Sequence, residues 1–239
     1  MSLGWIIPPP LDRVTKSAEQ FSKEREEVVG RLILSGLLRS RRMVEAMKRV
    51  PRECFVPPEY RDYSYLEIPL PIPGDGENQT ISCPHSYPLF YEALGLSEGD
   101  RFLEVGAGSG YGAALAREVV GAKGRVVTIE INSTTCDFAR KNLSSLGYQD
   151  IVVVEGDGSE GYEPESPYDK ICVTAACPEF PPPLIDQLGT PGRLAIPVGS
   201  PKSVQKLLLL EKGEDSRAEV KLVEEVLYVP LFGKYGWRV

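Results

Sequence analysis

Histidine is almost absent from this 239-residue chain, in which His85 is the only one. A metal site built from two or more imidazoles within one chain is therefore excluded. The five cysteines are odd in number and none belongs to a C-x-x-C pair, which argues against a disulfide scaffold and against a zinc ribbon. They are Cys54, Cys83, Cys136, Cys172 and Cys177. A site made of carboxylates alone stays arithmetically possible, but we expect no bound metal.

Long apolar runs and an excess of positive charge are also missing. The longest runs, such as Leu207–Leu210, have the length of a strand and fall far short of the roughly 20 residues that span a bilayer. Near the N-terminus, Pro8–Pro10 interrupt the apolar residues, so we expect no signal peptide. The 27 basic and 34 acidic residues give a formal charge of −7, which disfavours binding to phosphate backbones. We predict a cytoplasmic protein with neither a membrane nor a nucleic-acid partner.

The first 84 residues predict a helical cover rather than a separate domain. A helix-prone stretch runs from about Ser17 to Leu38, with a break at Gly36. A second helix carries its apolar residues on one face and stops at Pro51; these residues are Met43, Val44, Met47 and Val50. Residues 57–84 are rich in Pro, Gly and Tyr without a sustained period, so we expect an irregular segment of the kind that often carries function.

After Gly99, predicted strands alternate with helices. The strands are Arg101–Val105, Arg125–Glu130, Ile151–Glu155, Tyr168–Thr174 and Gly192–Val198, and the helices are Tyr111–Val120, Thr134–Leu146 and a short one around Leu184–Leu188. Two later apolar runs, Gln205–Glu211 and Leu222–Pro230, predict a hairpin. We therefore predict an α/β fold with a doubly wound, mostly parallel seven-stranded sheet and a ligand at the carboxyl ends of its strands. Residues 1–239 are expected to form a single domain, with the cover over about 17–84 and the cofactor-binding core over about 85–239.

The strongest local signal lies where the first of these strands enters a glycine-dense turn. Gly106, Gly108, Gly110 and Gly112 place four glycines within seven residues. Alternate glycines lack Cβ atoms and permit positive φ, so a cofactor can lie against the main chain. A plain tight turn does not account for them, because each glycine lowers local stability.

Two cofactor classes fit these glycines as a bare pattern. Gly108-x-Gly110-x-x-Ala113 satisfies the dinucleotide fingerprint, but there the first glycine closely follows the strand, and here Gly106 does. The spacing thus favours the S-adenosylmethionine type of loop. Glu130 ends the second strand, where a carboxylate can accept hydrogen bonds from ribose hydroxyls of either cofactor. Asp157 and Gly158 follow the third strand, placed for an adenine amino group to donate to the acid while the glycine leaves room for the ring.

Together with other segments, these motifs resemble the protein-L-isoaspartate O-methyltransferase family from about Met43 to Trp237. The further segments are Val50-Pro51-Arg52 with Phe55-Val56-Pro57, Pro69-Leu70-Pro71-Ile72, Gln79-Thr80-Ile81-Ser82 with Pro84-His85, Gly156-Asp157-Gly158 with Gly161-Tyr162, Pro167-Tyr168-Asp169, Gln187-Leu188, Gly192-Arg193-Leu194, Ile196-Pro197-Val198-Gly199 and Val229-Pro230-Leu231. Several are weak alone, but their order and spacing are specific.

The resemblance implies a repair enzyme with the Rossmann-like methyltransferase fold. It would transfer the methyl group of S-adenosylmethionine to the carboxylate of isoaspartyl residues in age-damaged peptides and proteins, leaving S-adenosylhomocysteine. The ester then cyclises to a succinimide that can reopen as normal aspartate. A substrate carboxylate with a pKa near 4 is already ionised at neutral pH, so no strong general base and no histidine relay are needed.

The resemblance also implies residue roles. Ser82 takes the catalytic position with Thr80 in support, as a hydrogen-bonding residue that orients the substrate and not as a nucleophile. The expected cofactor residues are Ile81, His85, Glu104, Gly106, Gly108, Gly110, Glu130, Asp157 and Gly158. The main chain of Val229, Pro230 and Leu231 is expected to hold the peptide like an added strand. We expect a monomer.

Simpler structural roles stay open for several of these residues. Ser82 could cap a helix, and His85 could make a structural hydrogen bond. Cys83 is interpreted as packing, because the partners of a nucleophilic cysteine are missing. Three other functions also remain: a methyltransferase for another acceptor such as a small acid or a nucleic acid, a binding module without catalysis, and a nicotinamide oxidoreductase.

Three features depart from the pattern of the family. The link from Gly74 to Asn78 is longer than usual, and Glu67 stands where an aspartate is more common. Pro88 falls where related helices continue, so we expect the following helix to start nearer Leu89. The first two could alter how the peptide enters.

Overall fold

A seven-stranded sheet forms the centre of the computed structural model, which describes residues 7–74, 79–215 and 217–238. The helices are α1 (Ala18–Leu34), α2 (Arg41–Arg49), α3 (Ser86–Leu94), α4 (Tyr111–Val120), α5 (Ser133–Ser145) and α6 (Pro182–Asp186). The strands are β1 (Leu70–Pro71), β2 (Thr80–Ile81), β3 (Arg101–Val105), β4 (Arg125–Glu130), β5 (Val152–Glu155), β6 (Tyr168–Val173), β7 (Leu188–Val198), β8 (Gln205–Lys212) and β9 (Ala218–Val226).

The main sheet has the order β5-β4-β3-β6-β7-β8-β9. Its first five strands are parallel, and β8 and β9 are antiparallel additions at one edge. The chain winds outward from β3 to β5 and then crosses back to β6, so helices cover both faces. The predicted doubly wound, mostly parallel seven-stranded sheet is thereby confirmed.

Alternate residues of the strands enter two separate hydrophobic clusters on the two faces of the sheet. Phe102 and Val126 belong to the cluster that includes α1, α2, α3 and α4. Leu103 and Val127, one position further along the same strands, belong to the cluster that includes Leu184 of α6. Because side chains alternate across a strand, near-continuous apolar runs of this kind are what a sheet covered on both faces requires.

The cover over the first cluster matches its sequence pattern. The Ser17 side chain accepts a hydrogen bond from the Gln20 backbone N–H, and the Gln20 side chain accepts one from the Ser17 N–H, which starts α1 with a capping box. Helix α1 ends before Gly36, and α2 buries Met43 and Met47. The predicted break and the predicted apolar face are both confirmed.

Residues 57–84 are more regular than we expected. A 3-10 helix covers Pro58–Tyr63, and β1 pairs with β2 in a small antiparallel ladder. Strands of only two residues leave no periodic signal, so the sequence pattern could not reveal their pairing. Of the unusual Gly74–Asn78 link, residues 75–78 lie outside the described residues.

Two predicted boundaries in the second half of the chain were wrong. The last strand is Ala218–Val226 and not Leu222–Pro230. It is an edge strand, and its backbone pairs with β8 starting from the pair Lys212 and Ala218. Its Val220 and Leu222 are exposed, so apolar content did not mark its start. Likewise, the short helix is Pro182–Asp186, and Leu188 already begins β7.

Helix α3 begins at Ser86 and not near Leu89. Pro88 is its third residue, in the first turn, where backbone N–H groups have no partner within the helix. The missing N–H of proline therefore costs nothing there. No helix among the described residues is long and apolar enough to cross a membrane.

Candidate active site

A cavity of about 750 Å³ opens at the carboxyl ends of the parallel strands. Its wall includes most of the residues expected from the sequence: Thr80, Ile81, Ser82, His85, Glu104, Gly106, Gly108, Glu130, Gly158, Val229, Pro230 and Leu231. Gly110 and Asp157 are not part of this wall. The β2 segment, the glycine turn and the chain after β9, which are far apart in sequence, thus meet around one space.

The glycine turn after β3 approaches the cavity with its bare backbone. Gly106 has φ +97°, and a Cβ atom there would lie 2.3 Å from the Thr174 hydroxyl oxygen. That hydroxyl donates to the carbonyl oxygens of Val105 and Gly106, at 3.0 and 2.9 Å. A side chain at position 106 would therefore displace the residue that holds the turn in place.

Gly108 and Gly110 do different jobs in the same turn. Gly108 has φ +52°. A Cβ atom at this position would have the Thr80 carbonyl oxygen as its nearest neighbour, at 3.7 Å, so the turn lies directly beneath the β2 segment. Gly110 has φ +85°, and a Cβ there would lie 3.0 Å from Leu143 of α5. Gly110 thus permits the turn and close helix packing, away from the cavity.

Glu130 holds the glycine turn as well as facing the cavity. One of its carboxylate oxygens accepts the Gly108 N–H at 3.0 Å, and the other accepts the Asn132 N–H at 3.1 Å. Burial raises the pKa of Glu130, while these N–H donors act in the opposite direction. Each carboxylate oxygen keeps a lone pair for a further donor, such as a ribose hydroxyl.

Glu104 is a buried carboxyl group on the cavity floor. It accepts hydrogen bonds from the hydroxyls of Thr128 at 2.7 Å and Tyr91 at 3.4 Å. Burial raises its pKa to about 8, against the opposing effect of the two hydroxyl donors. Burial thus favours the neutral form of Glu104.

The backbone around Ser82 is held from behind by a buried arginine. Arg52 is 1% exposed, and it donates from Nη2 to the Ser82 carbonyl at 2.6 Å and from Nε to the Ser64 carbonyl at 2.7 Å. Its guanidinium lies over the rings of Tyr87 and Tyr111, at 5.9 and 5.3 Å from their centroids. No hydrogen bond engages the Ser82 hydroxyl within the described part of the chain, so it remains free for a ligand.

His85 and Glu67 form a pair at the cavity rim, with His85 Nδ1 2.8 Å from a Glu67 oxygen. Burial would raise the pKa of Glu67, but the hydrogen bonds from His85 outweigh it and lower the pKa. The unusual glutamate therefore orients the only histidine. Beside it, burial raises the pKa of the Cys83 thiol to about 11, which keeps it protonated and supports a packing role.

The segment Val229–Leu231 lies along Ala176, just beyond β6. The Ala176 N–H donates to the Val229 carbonyl at 2.7 Å, and the Leu231 N–H donates to the Ala176 carbonyl at 2.9 Å. The pairing is parallel, centred on Pro230. One edge of the segment is thereby fixed to the core, and the Pro230 carbonyl points toward the other edge.

Asp157 faces a different neighbour from the one we expected. Its carboxylate accepts the Ser159 N–H and hydroxyl on one oxygen, at 2.9 and 2.7 Å, and the Lys234 N–H on the other, at 2.7 Å. It therefore joins the loop after β5 to the C-terminal residues, while Gly158 alone faces the cavity. The predicted hydrogen bond from adenine to Asp157 stays a prediction.

Sequence reasoning assigned no role to Arg52, Thr174 or Ala176, although each positions a predicted site residue. Arg52 stood within the resemblance, which was the signal that could have found it. Thr174 and Ala176 offered none, because they act through contacts with residues 53 or more positions away. Within the described residues, no group of three or more His, Cys, Asp or Glu side chains could hold a metal ion.

The site fits a nucleoside cofactor with an extended polar tail. Gly106 and Gly108 leave a strip of bare backbone, Glu130 offers acceptors for ribose hydroxyls, and Gly158 lines the cavity at the next strand end, where its missing Cβ lets Val105 pack closely. Together with the sheet order and the antiparallel additions at its edge, these features define a class: the Rossmann-like S-adenosylmethionine-dependent methyltransferases.

Comparison with known proteins identifies the family within this class. Residues 23–236 match the family model of protein-L-isoaspartate(D-aspartate) O-methyltransferase. The chain is 47% identical over 218 residues to protein-L-isoaspartate O-methyltransferase 2 of Archaeoglobus fulgidus, covering 91% of this chain and 97% of the relative. It is 46% identical over 232 residues to the Hyperthermus butylicus enzyme, covering 94% and 95%. The chain therefore belongs to the protein-L-isoaspartate O-methyltransferase family.

Solved structures agree with this assignment. A protein-L-isoaspartate O-methyltransferase superposes with a TM-score of 0.80 and 33% identity, over 89% of this chain and 67% of the other. A Plasmodium falciparum protein solved in complex with S-adenosyl-L-homocysteine has a TM-score of 0.75 over 87% of this chain and 98% of its own, and at 22% identity it shows the fold alone.

The predicted family and reaction are thus confirmed. The chain is an S-adenosylmethionine-dependent O-methyltransferase that acts on isoaspartyl residues of proteins. The alternative of a nicotinamide oxidoreductase is therefore excluded.

Proposed function

We propose that the β2 segment and the glycine turn together align an isoaspartyl carboxylate with the cofactor's methyl group. The observation that carries this proposal is their proximity: the Thr80 carbonyl oxygen lies 3.7 Å from where a Cβ on Gly108 would stand, and Ser82 follows two residues later on the same cavity wall. The free Ser82 hydroxyl donates to one oxygen of the substrate carboxylate, and Thr80 supports that wall. The other carboxylate oxygen is left to attack.

The cofactor is held by the residues that line its side of the cavity. Gly106, Gly108 and Gly158 offer bare backbone, Glu130 accepts the ribose hydroxyls, and Glu104 faces the polar tail. Ile81 and His85 close the methyl-transfer end. Gly110 and Asp157 act by shaping the loops that carry these residues. When bound, S-adenosylmethionine supplies a methyl group on a sulfonium centre. Its leaving group is a neutral thioether, which needs no acid catalyst.

The chain's own residues then have three tasks. The substrate carboxylate arrives ionised, so no residue has to remove a proton from it. Ser82, held through its carbonyl by Arg52, fixes the direction of approach. The apolar wall from Ile72 and Ile81 to Leu231 excludes water. Positioning of this kind supplies about 7–11 kcal/mol in favourable cases.

The peptide substrate lies along Val229, Pro230 and Leu231. Because Ala176 fixes one edge of this segment, its other edge, with the Pro230 carbonyl, is open to a peptide N–H. Isoaspartyl peptides and age-damaged proteins are thus held by main chain rather than by side-chain recognition. We further propose a monomeric, single-domain, cytoplasmic enzyme over residues 1–239, without nucleic-acid or membrane partners.

Methyl transfer to a short isoaspartyl peptide, beside its normal aspartyl twin, tests this function. We expect base-labile methyl ester on the isoaspartyl peptide alone. The substitution Ser82→Ala should lower kcat about tenfold or more, since hydrogen bonds to charged groups contribute roughly 1.5–3 kcal/mol. Its Kd for S-adenosylhomocysteine should stay within about twofold.

The matched control is the neighbouring variant Cys83→Ala, which alters the same loop without removing the hydroxyl. Because the Cys83 thiol is protonated and packed, we expect its kcat to stay within about threefold of wild type. Equal kcat in wild type and Ser82→Ala at saturating peptide would remove Ser82 from the reaction. A larger loss of kcat in Cys83→Ala than in Ser82→Ala would instead identify the thiol as the essential group.

A further inference from the structure

The residues after Leu231 fold back on the segment that we propose to hold the peptide. We call residues 232–237 the C-terminal turn. The Gly236 N–H donates to the Gly233 carbonyl at 3.2 Å, and the Trp237 N–H donates to the Leu231 carbonyl at 2.7 Å. The turn is therefore attached by its end to the last residue of the peptide-holding segment.

Trp237 fixes this turn to the same backbone group that fixes the segment. Its indole Nε1–H donates to the Ala176 carbonyl at 3.0 Å, the carbonyl that also accepts the Leu231 N–H at 2.9 Å. Trp237 is not part of the cavity wall. It can thus influence substrate through its bonds to the backbone of Ala176 and Leu231 and through its pairing with Phe232, which lines the wall.

A second anchor lies on the loop after β5. Asp157 accepts the Lys234 N–H at 2.7 Å, and the Ser159 hydroxyl accepts the Tyr235 N–H at 3.0 Å. The approach is close, because a Cβ on Gly233 would lie 2.1 Å from an Asp157 oxygen. The C-terminal turn therefore spans from the cofactor-side loop to Ala176, with the peptide-holding segment attached to it.

We infer that Trp237 is a positioning residue for the peptide, because it holds Val229–Leu231 in place in the cavity wall through the Ala176 carbonyl. The inference rests on the proposed peptide role of Val229–Leu231. Removing the indole N–H takes one of two donors from the Ala176 carbonyl, the group to which the Leu231 N–H is also bonded, and so loosens the backbone that carries the segment. The cofactor side of the cavity keeps all of its contacts.

The test is Trp237→Phe, which keeps an aromatic ring and removes the donor. We expect KM for the isoaspartyl peptide to rise about 3- to 10-fold, as for one hydrogen bond lost. We expect kcat and the Kd for S-adenosylhomocysteine to stay within about twofold, which a general loosening of the fold would not produce. Tyr235→Phe is the matched control, because Tyr235 makes its contact with Ser159 through the backbone N–H.

A third variant, Pro230→Gly, separates this inference from the proposal on which it rests. It frees the backbone of the segment itself, which is the part proposed to hold the peptide, and should raise peptide KM. If Pro230→Gly raises it and Trp237→Phe does not, the role of Trp237 is overturned and that of the segment stands. If neither raises it, both are overturned. A parallel rise in the Kd for S-adenosylhomocysteine in Trp237→Phe would also overturn the inference.

Discussion

Glu104 shows how one buried side chain links the site to the stability of the fold. It is 2% exposed, yet it is a carboxyl group facing a cavity that binds a charged cofactor. The hydroxyls of Thr128 and Tyr91 and the Ala113 N–H do not replace the solvation that water would give to the ionised form. Burial therefore favours the neutral form of Glu104.

The pH dependence of stability should report this residue. Because burial raises the pKa of Glu104 to about 8, the native state keeps a proton that the unfolded chain releases near pH 4.5. The contribution of Glu104 to the free energy of unfolding is therefore complete below the pKa of the unfolded chain. It is lost as pH rises toward 8, by at most roughly 1.4 kcal/mol per pH unit. Denaturant titrations of the cofactor-free protein from pH 5 to 8 should show a flatter profile for Glu104→Gln than for wild type.

The exposed Glu179 supplies the control for that comparison. Glu179→Gln changes the same functional group without changing a buried site, so its profile should follow wild type. An unchanged slope in Glu104→Gln would mean that other groups carry the pH dependence.

At the scale of elements, the need for glycine in the turn between β3 and α4 comes from side-chain contacts as much as from backbone conformation. Gly106 and Gly147 both have positive φ, +97° and +88°, but only Gly106 has a neighbour where a Cβ would stand. Positive φ costs an alanine roughly 1–2 kcal/mol at either position. The Thr174 hydroxyl, 2.3 Å from the hypothetical Cβ, adds a steric cost at position 106 alone.

We therefore expect Gly106→Ala to lower Tm by more than Gly147→Ala and to raise the Kd for S-adenosylhomocysteine at least about tenfold, since the shifted turn carries the cofactor. Gly147→Ala should lose stability without losing affinity. Thermal unfolding and calorimetric titration measure the two effects separately. Equal affinity in both variants would show that the turn can give way to a methyl group.

The elements also show where sequence patterns stop being informative. The predicted limits of β3, α4 and β4 agree with the structure residue for residue, because each is a buried run bounded by a glycine, an acid or a turn. The predicted start of the edge strand β9 was four residues too late, because an edge strand needs only a partner for its backbone and not a buried face.

On the scale of the whole molecule, the cover and the core share one hydrophobic cluster. Met47 of α2 belongs to the same cluster as Phe102 of β3 and Leu115 of α4. Arg52, which follows α2, also reaches the Ser82 backbone. The cover is therefore expected to unfold together with the sheet, as one domain.

The substitution Met47→Ala tests this expectation. Loss of the buried side chain should destabilise by about 2–5 kcal/mol and lower Tm while leaving one calorimetric transition. S-adenosylhomocysteine at 100 times its Kd should restore about 2.7 kcal/mol to that whole transition. A separate early transition, insensitive to the ligand, would instead identify the cover as an independent unit.

The sequence was sufficient for the α/β class, the glycine turn and the family, because hydrophobic period, backbone freedom and the order of motifs along the chain do not depend on tertiary contacts. It did not reveal that Asp157 faces Lys234, that Arg52 holds Ser82, or that Trp237 shares a carbonyl with Leu231. Those contacts join residues up to 77 positions apart. Such pairs depend on how the strands order themselves in the sheet, so they exist only once the chain has folded.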